Sequence, residues 1–252
     1  MDRILYTAMS GASQSLKQQE VVSHNLANVD TPGFRAQLHA MRAVPVQGEA
    51  AHATRASVVA STPGADFTPG ALMSTERPLD IAVDERGWIA VQAPDGTEAY
   101  TRRGDLQIDA AGMLTVIGRP VMGEGGPIIL PLEAQVSIGA DGTLSAIAPG
   151  QGPEALVEAG RIKLVEAGNG ALQRGDDGLF RAPANEEGVV PVLPQAEGVR
   201  LVSGVLEGSN VSPVEAMVSM IDVARRYDMQ MKVISTADEN AQRANGLLSI
   251  QG

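Results

Sequence analysis

The residues able to do chemistry are few and poorly grouped. The three histidines, His24, His39 and His52, fall within the first 52 residues, away from any acidic cluster. Neither the HExxH spacing, which sets two imidazoles on one helix face, nor a calcium-loop pattern occurs, so no metal site is expected. There is no cysteine, which removes disulfides, thiolate ligands and cysteine nucleophiles. The glycine-rich stretch GEGGP, Gly123 to Pro127, lacks the Lys-Ser/Thr of a phosphate-binding loop and reads as a turn. No Gly-x-Ser-x-Gly elbow is present, and spacing groups no Ser, His and Asp into a triad. Asn210-Val211-Ser212 has the form of a glycosylation sequon, but Pro213 follows it and the serine is better explained as a helix cap. The Asp-Gly pairs at 95–96, 141–142 and 177–178 are isolated, as hairpin turns are, rather than spaced as calcium ligands. Catalysis has no support, and no cofactor is expected.

Charge narrows the partners. The formal net charge is −11 over 252 residues. Residues 1–35 carry three acids and three bases, and residues 212–252 carry five and four, so the middle holds −10. Phosphate contacts need a Lys/Arg footprint, and an acidic middle without a basic cluster argues against nucleic acid. The N-terminus lacks a basic region followed by an apolar stretch, so it does not read as a cleaved secretory signal. No run approaches 18 apolar residues, so no insertion into a membrane is expected.

The elements that must position any functional residue lie at the two ends. From Met1 to about Asn28 there is no proline, and Leu5, Met9, Ala12, Leu16, Gln19, Ser23 and Leu26 are spaced alternately by four and three. A second row, Met1, Leu5, Ala8, Ala12, Ser15, Gln19, Val22 and Leu26, runs beside it. Both are heptad-like stripes and predict a helix roughly 40 Å long. At the other end Ser212-Pro213-Val214-Glu215 combines an N-cap serine, a first-turn proline and a glutamate three residues after the cap. The stripe Met220, Val223, Tyr227, Gln230, Ile234, Ala237, Ala241, Ala244 and Leu248 then runs unbroken through a predicted helix of about 35 residues, about 50 Å long. Asp222–Arg226 and Asp228–Lys232 are spaced for favourable ion pairs.

Between these helices the period changes to two. LDIAV (79–83), WIAVQ (88–92), EAYTRR (98–103), LQID (106–109), MLTVI (113–117), VSIG (136–139) and TLSAI (143–147) are short β-type runs punctuated by Gly-containing turns. They predict a meander or partly open barrel anchored by Trp88, Tyr100 and Phe180. Residues 37–75, rich in Ala, Thr, Pro and Gly, read as an irregular connector. The fold class is α+β: two terminal helices with coiled-coil periodicity around a central all-β domain of short antiparallel strands. A helix of this length is marginal alone in water, so its stripe needs a partner, and the other terminus is the nearest. Ala-rich faces left over suit packing against further copies.

The first helix ends on HNLANVDTPGF, residues 24–34. Asn28 suits a left-handed or capping position. Thr31-Pro32-Gly33 suits a type II turn, with Pro second and Gly third. Phe34, one of only seven aromatic residues, reads as an apolar plug fixing the direction in which the chain leaves the helix. Asn25 reads as a polar contact that sets register in the stripe.

SHNLANVDTPGFRAQ (23–37) resembles the N-terminal signature of the bacterial flagellar rod, hook and hook-filament junction proteins. GVLEGSNVSPVEAMVSMIDVARRYDMQMKVISTADE (204–239) is similar to their C-terminal signature, and residues 77–123 resemble the β domain of rod and hook proteins. Trp88-Ile89 departs from the paired phenylalanines often found in relatives, a matter of core packing. MDRILYTAMSGA, TPGFRAQLHAMRAVPV and STERPLD agree best with a basal-body rod protein, and the insertion typical of the distal rod is lacking between 35 and 42.

The resemblance implies a structural subunit of the proximal rod that polymerises through its terminal helices and transmits torque. It implies an axial domain of residues 1–36 and 205–252, with an outer β domain of residues 76–204. Its partners would be copies of itself, other rod proteins and the flagellar type III export apparatus, which needs no cleaved signal. Its location would be the basal-body rod, across the periplasm. The assembly and turn residues would be Leu5, Leu16, Asn25, Leu26, Asn28, Pro32, Gly33, Phe34, Ser212, Pro213, Glu215, Met220, Tyr227, Ile234 and Leu248. Two other readings stay open here: a distal rod or other axial protein, and a secreted β-domain binding module on a helical stalk.

Overall fold

The computed structural model describes the backbone of residues 2–45, 56–84, 86–152, 156–168 and 170–249, with side chains of the same stretches from 5 to 39 and from 64 to 246. Two helices, α1 (Asp2–Ala27) and α2 (Pro213–Ser249), enclose a run of short strands in the chain. All strand pairs whose register is described are antiparallel, as an α+β chain with hairpin connections requires. The chain divides into two compact units: residues 1–27, 37–63 and 212–252 form one, and residues 28–36 and 64–211 form the other.

In the first unit α1 and α2 run antiparallel. Gly11 and Ser15 meet Gln230, while Gln18 meets Arg226, so rising numbers on one helix face falling numbers on the other. Leu5, Ala8, Ala12, Ser15, Gln19, Val22 and Leu26 are buried or half-buried on α1, as the second of the two stripes requires. Met9, Leu16 and Ser23, which belong to the first stripe alone, are exposed. Small side chains decide between the rows. Ala8, Ala12 and Ser15 let the helices approach until an added Cβ on Gly11 would lie 2.7 Å from Gln230 Nε2. On α2 the expected stripe is the covered one: Met220, Tyr227, Gln230, Ile234, Ala241 and Ala244 are half-buried, and Val223 and Ala237 are buried. The Leu248 side chain lies outside the described residues.

Residues 37–75 are not the irregular connector expected. The strands Gln37–Pro45 and Ala56–Ala65 pair with each other, and Leu72–Ser74 pairs with Val205–Glu207. Strand pairing is main-chain hydrogen bonding, which Ala and Thr do not prevent, and Pro45 sits at a strand end.

The second unit is the β body. Its largest sheet has five strands in the order Leu164–Glu166, Gly87–Gln92, Glu98–Thr101, Phe180–Arg181, Gln173–Arg174. Alternation along Gly87–Gln92 sends successive side chains to opposite faces. Ile89 and Val91 join an aliphatic core with Ile81, Leu106, Leu114, Leu144 and Ile162. Trp88 and Ala90 join Tyr100 and Phe180 in an aromatic core, where the Trp88 and Phe180 ring centres lie 4.7 Å apart. The three expected anchors are therefore all buried, and Phe67 packs edge-on against Trp88 at 5.8 Å. Tyr100 donates from its hydroxyl to Glu98 at 3.0 Å and accepts the Leu193 N–H at 2.7 Å; burial, the largest influence, pushes its pKa up to about 12.

Candidate assembly site

The α1–α2 seam carries a buried polar contact. Ser15, almost wholly buried, donates from Oγ to Gln230 Oε1 at 3.3 Å. A satisfied polar pair in an apolar seam disfavours sliding of one helix along the other, because any shift leaves both groups unpaired. That register role was expected of Asn25, and the structure assigns Asn25 another. Its amide forms a two-bond clasp with the Gln37 main chain: the Gln37 N–H donates to Oδ1 at 2.8 Å, and Nδ2 donates to the Gln37 carbonyl at 3.0 Å. A planar side-chain amide offers one donor and one acceptor side by side, which is what a strand's backbone edge needs. Asn25 thus fastens the start of the first strand to the end of α1.

The α2 start follows its sequence signature. Pro213 is the first helical residue, the Glu215 N–H reaches Ser212 Oγ at 3.4 Å, and Ala216 donates to the Ser212 carbonyl at 3.0 Å. The glutamate itself is exposed. Neither expected i, i+4 ion pair, Asp222–Arg226 or Asp228–Lys232, is found among the described residues; Arg226 donates to the Asp222 carbonyl at 3.4 Å and to Gln18 Oε1 at 3.0 Å. The second contact is with the amide across the seam, so it joins the two helices.

Apolar side chains also line the uncovered helix faces. Tyr6, Met9 and Leu16 on α1, the last at 49% exposure, face solvent, as do Val214, Met217, Val218, Ile221 and Met229 on α2. Leu16 is therefore not a seam residue. Patches of this kind mark interaction surfaces more often than chance exposure.

The turn after α1 belongs to the β body. Asn28 is not left-handed: the only described non-glycine residues with positive φ are Glu76, Ile117 and Glu133. Instead its carbonyl accepts the Thr31 N–H at 3.2 Å, and its Oδ1 accepts the Thr31 hydroxyl at 3.2 Å. The Thr31–Phe34 turn closes as expected, with Phe34 N–H donating to the Thr31 carbonyl at 3.2 Å and Gly33 at φ +65°. Gly33 is required twice over, since a Cβ there would also lie 2.4 Å from the Arg102 carbonyl carbon. Pro32 is half-buried and Phe34 is 7% exposed, with the Arg174 guanidinium 4.7 Å above the Phe34 ring.

What residue spacing did not reveal is the charge buried behind this turn. Glu207 holds two arginines: Arg35 Nη2 lies 2.7 Å from Oε1, and Arg102 Nε donates to Oε2 at 2.9 Å. All three side chains are almost fully buried. Gly70 N–H also donates to Oε1 at 2.9 Å, and the Glu207 carbonyl accepts the Gly33 N–H at 2.7 Å. Arg102 donates further to the Asp84 carbonyl at 2.6 Å and the Val83 carbonyl at 3.0 Å, and Arg35 to the Thr68 carbonyl. Burial lowers the Arg35 pKa against the opposing pull of Glu207. Asn210 completes the lacing: Oδ1 accepts Ala36 N–H at 2.7 Å, and Nδ2 donates to the Asp66 carbonyl at 2.9 Å. The turn is thus sewn to the strand Val205–Glu207, and both belong to the β body although they fall in the segments, 1–36 and 205–252, expected to travel with the helices.

Comparison with known proteins fits this layout segment by segment. The family model of the flagella basal body rod protein matches residues 5–35, which carry α1 and the turn. That of the flagellar hook protein FlgE/F/G D1 domain matches residues 82–146 of the β body. That of the flagellar basal body rod FlgEFG protein C-terminal region matches residues 202–247. Together they define the class, the rod and hook proteins of the flagellum.

Among full-length relatives, FlgF of Salmonella typhimurium is 56% identical over 253 residues, 99% of this chain and 100% of that one. FlgF of Escherichia coli is 55% identical over 99% of this chain and 100% of that one. FlgG of Bacillus subtilis is 33% identical over 96% of this chain and 97% of that one. The chain belongs to the FlgF family of flagellar basal-body rod proteins.

Proposed function

We propose that the chain is a structural subunit of the proximal rod of the flagellar basal body, polymerising through its terminal helices to transmit torque. It acts by shape and contact, not by catalysis. The observation that carries this reading is the full-length identity of more than half to FlgF proteins, against a third to the FlgG relative. The uncovered apolar faces of α1 and α2 support it, because an isolated helix pair gains nothing from exposed Met9, Met217, Val218 and Ile221.

In this reading the helix pair is the axial layer and the β body the outer layer, with coiled-coil-like packing extended between subunits. The Thr31–Phe34 turn and the Arg35–Glu207–Arg102 triad fix where the chain enters the body. Neighbours are copies of the chain and other rod proteins. The chain reaches the rod, across the periplasm, through the type III export apparatus without a cleaved signal. The test is rescue of motility in a flagellated strain lacking its FlgF protein. Rescue with the chain recovered in purified basal bodies supports the reading, and recovery only in the medium rejects it.

A further inference from the structure

One hairpin tip carries a residue ill suited to its backbone. The strands Leu114–Val116 and Arg119–Pro120 pair through Val116 and Arg119, leaving Ile117 and Gly118 as a two-residue loop. Both have positive φ, 55° and 67°, the geometry for which Asn-Gly and Asp-Gly are preferred. The Asp-Gly pairs at 95–96, 141–142 and 177–178 sit in other turns, in which only the glycine has positive φ. A β-branched residue at positive φ is a strained outlier. Ile117 is also 53% exposed, and beside it a Cβ on Gly118 would meet nothing within 4 Å. Strain and exposure are thus both borne by one apolar side chain. Beside it Arg119 makes no ion pair among the described residues, and Asp177, which feels its charge, is held by Arg181 at 2.7 Å.

Elsewhere on the β body lies an open groove of about 720 Å³ with the reverse character. Its lining is mainly polar, with Pro127 and Ile129, the latter 64% exposed, among its apolar groups. Its charge comes from Glu124, Asp141 and Glu158 against a single base, Arg161. Arg161 is committed to Glu124 at 3.5 Å and to the Asp141 carbonyl at 3.0 Å. Asp141 accepts from Thr143, whereas Glu158 is exposed and in no ion pair among the described residues.

We propose that the Ile117 tip of one chain docks in this groove of a second copy, with Ile117 against Pro127 and Ile129 and Arg119 facing Glu158. The occupant is a second copy because one chain carries both the apolar-and-basic tip and a groove that sets exposed Ile129 beside the acid Glu158. Such a contact is head-to-tail, and it propagates, as a polymer needs, when the rotation between copies does not close a ring. The proposal rests on the self-associating rod reading and adds a contact outside the helices.

The absence of cysteine makes the test direct. Full-length Ile117→Cys and Gly125→Cys chains are mixed at concentrations where sedimentation shows association, then oxidised mildly. Gly125 lines the groove, and a Cβ there meets nothing within 4 Å. The mixed disulfide should exceed both self-pairs beyond its statistical half. Association without an excess of the mixed product overturns this contact and leaves the rod reading standing; absence of association overturns both. In parallel, Ile117→Asn should raise the melting temperature of the β body by a few degrees, because Asn-Gly suits the turn, while weakening association. Unchanged association in that variant also overturns the proposal.

Discussion

Gly33 and Glu207 are single residues on which the same turn depends, and they fail differently when changed. At Gly33 a β-branched side chain meets both positive φ and the Arg102 backbone. The left-handed conformation alone costs about 1–2 kcal/mol. Because the turn is part of the β body, Gly33→Val should lower the body's melting temperature as well as harm assembly, and a thermal scan that does not move contradicts this. At Glu207 the loss is electrostatic. Glu207→Ala leaves Arg35 and Arg102 buried without their shared counter-charge, and breaking such a pair costs about 3–5 kcal/mol. Urea unfolding of the variant should show that loss at neutral pH. Tyr100 gives a prediction at the alkaline end. Its phenol ionises near pH 10 when unfolded but only near 12 when folded, so the folded state resists losing the proton. Its contribution is complete below about pH 10 and is lost as pH climbs to about 12. Melting temperature should therefore fall across that window more steeply in the native chain than in Tyr100→Phe.

At the scale of elements, the sequence tells more about helices than about what joins the strands. Helix periodicity is local, so the covered face of α2, from Met220 through Ile234 to Ala244, could be read directly. On α1 two stripes shared Leu5, Ala12, Gln19 and Leu26, and periodicity alone could not choose between Leu16 and Ser15. The small residues at 8, 11, 12 and 15 were the available signal, because close approach needs them. The seven quoted β runs all contain strands, but the pairing of Leu72–Ser74 with Val205–Glu207 spans most of the chain and leaves no local trace. The Arg35–Glu207–Arg102 triad was hidden for the same reason: each charge looks solvated until distant strands bring the three together. A charged Glu207 in an otherwise apolar strand, VLE, was the one hint. Ile234 tests the helix pair itself. Ile234→Asp places a carboxylate in the half-buried seam, and a loss of about 1–3 kcal/mol in the helix pair of the single chain is expected. In a polymer every subunit repeats the defect. Motility rescue should therefore fail while the β body melts unchanged; a collapsed body would mean that α2 is part of that body's core.

For the whole molecule, the central claim is that this chain builds the proximal rod through its terminal helices. The acidic middle, the β body and the helix pair have no catalytic assignment to divide among them, so the account stands or falls on position and polymerisation. The most direct measurement puts a tagged full-length chain into a flagellated strain lacking its FlgF protein, purifies the basal bodies, and locates the tag by electron microscopy while swimming is scored. The account predicts restored swimming, with the tag confined to the cell-proximal part of the rod, and loss of both in Ile234→Asp. Swimming restored with the tag elsewhere in the basal body, or a rod that forms normally from Ile234→Asp chains, would contradict it.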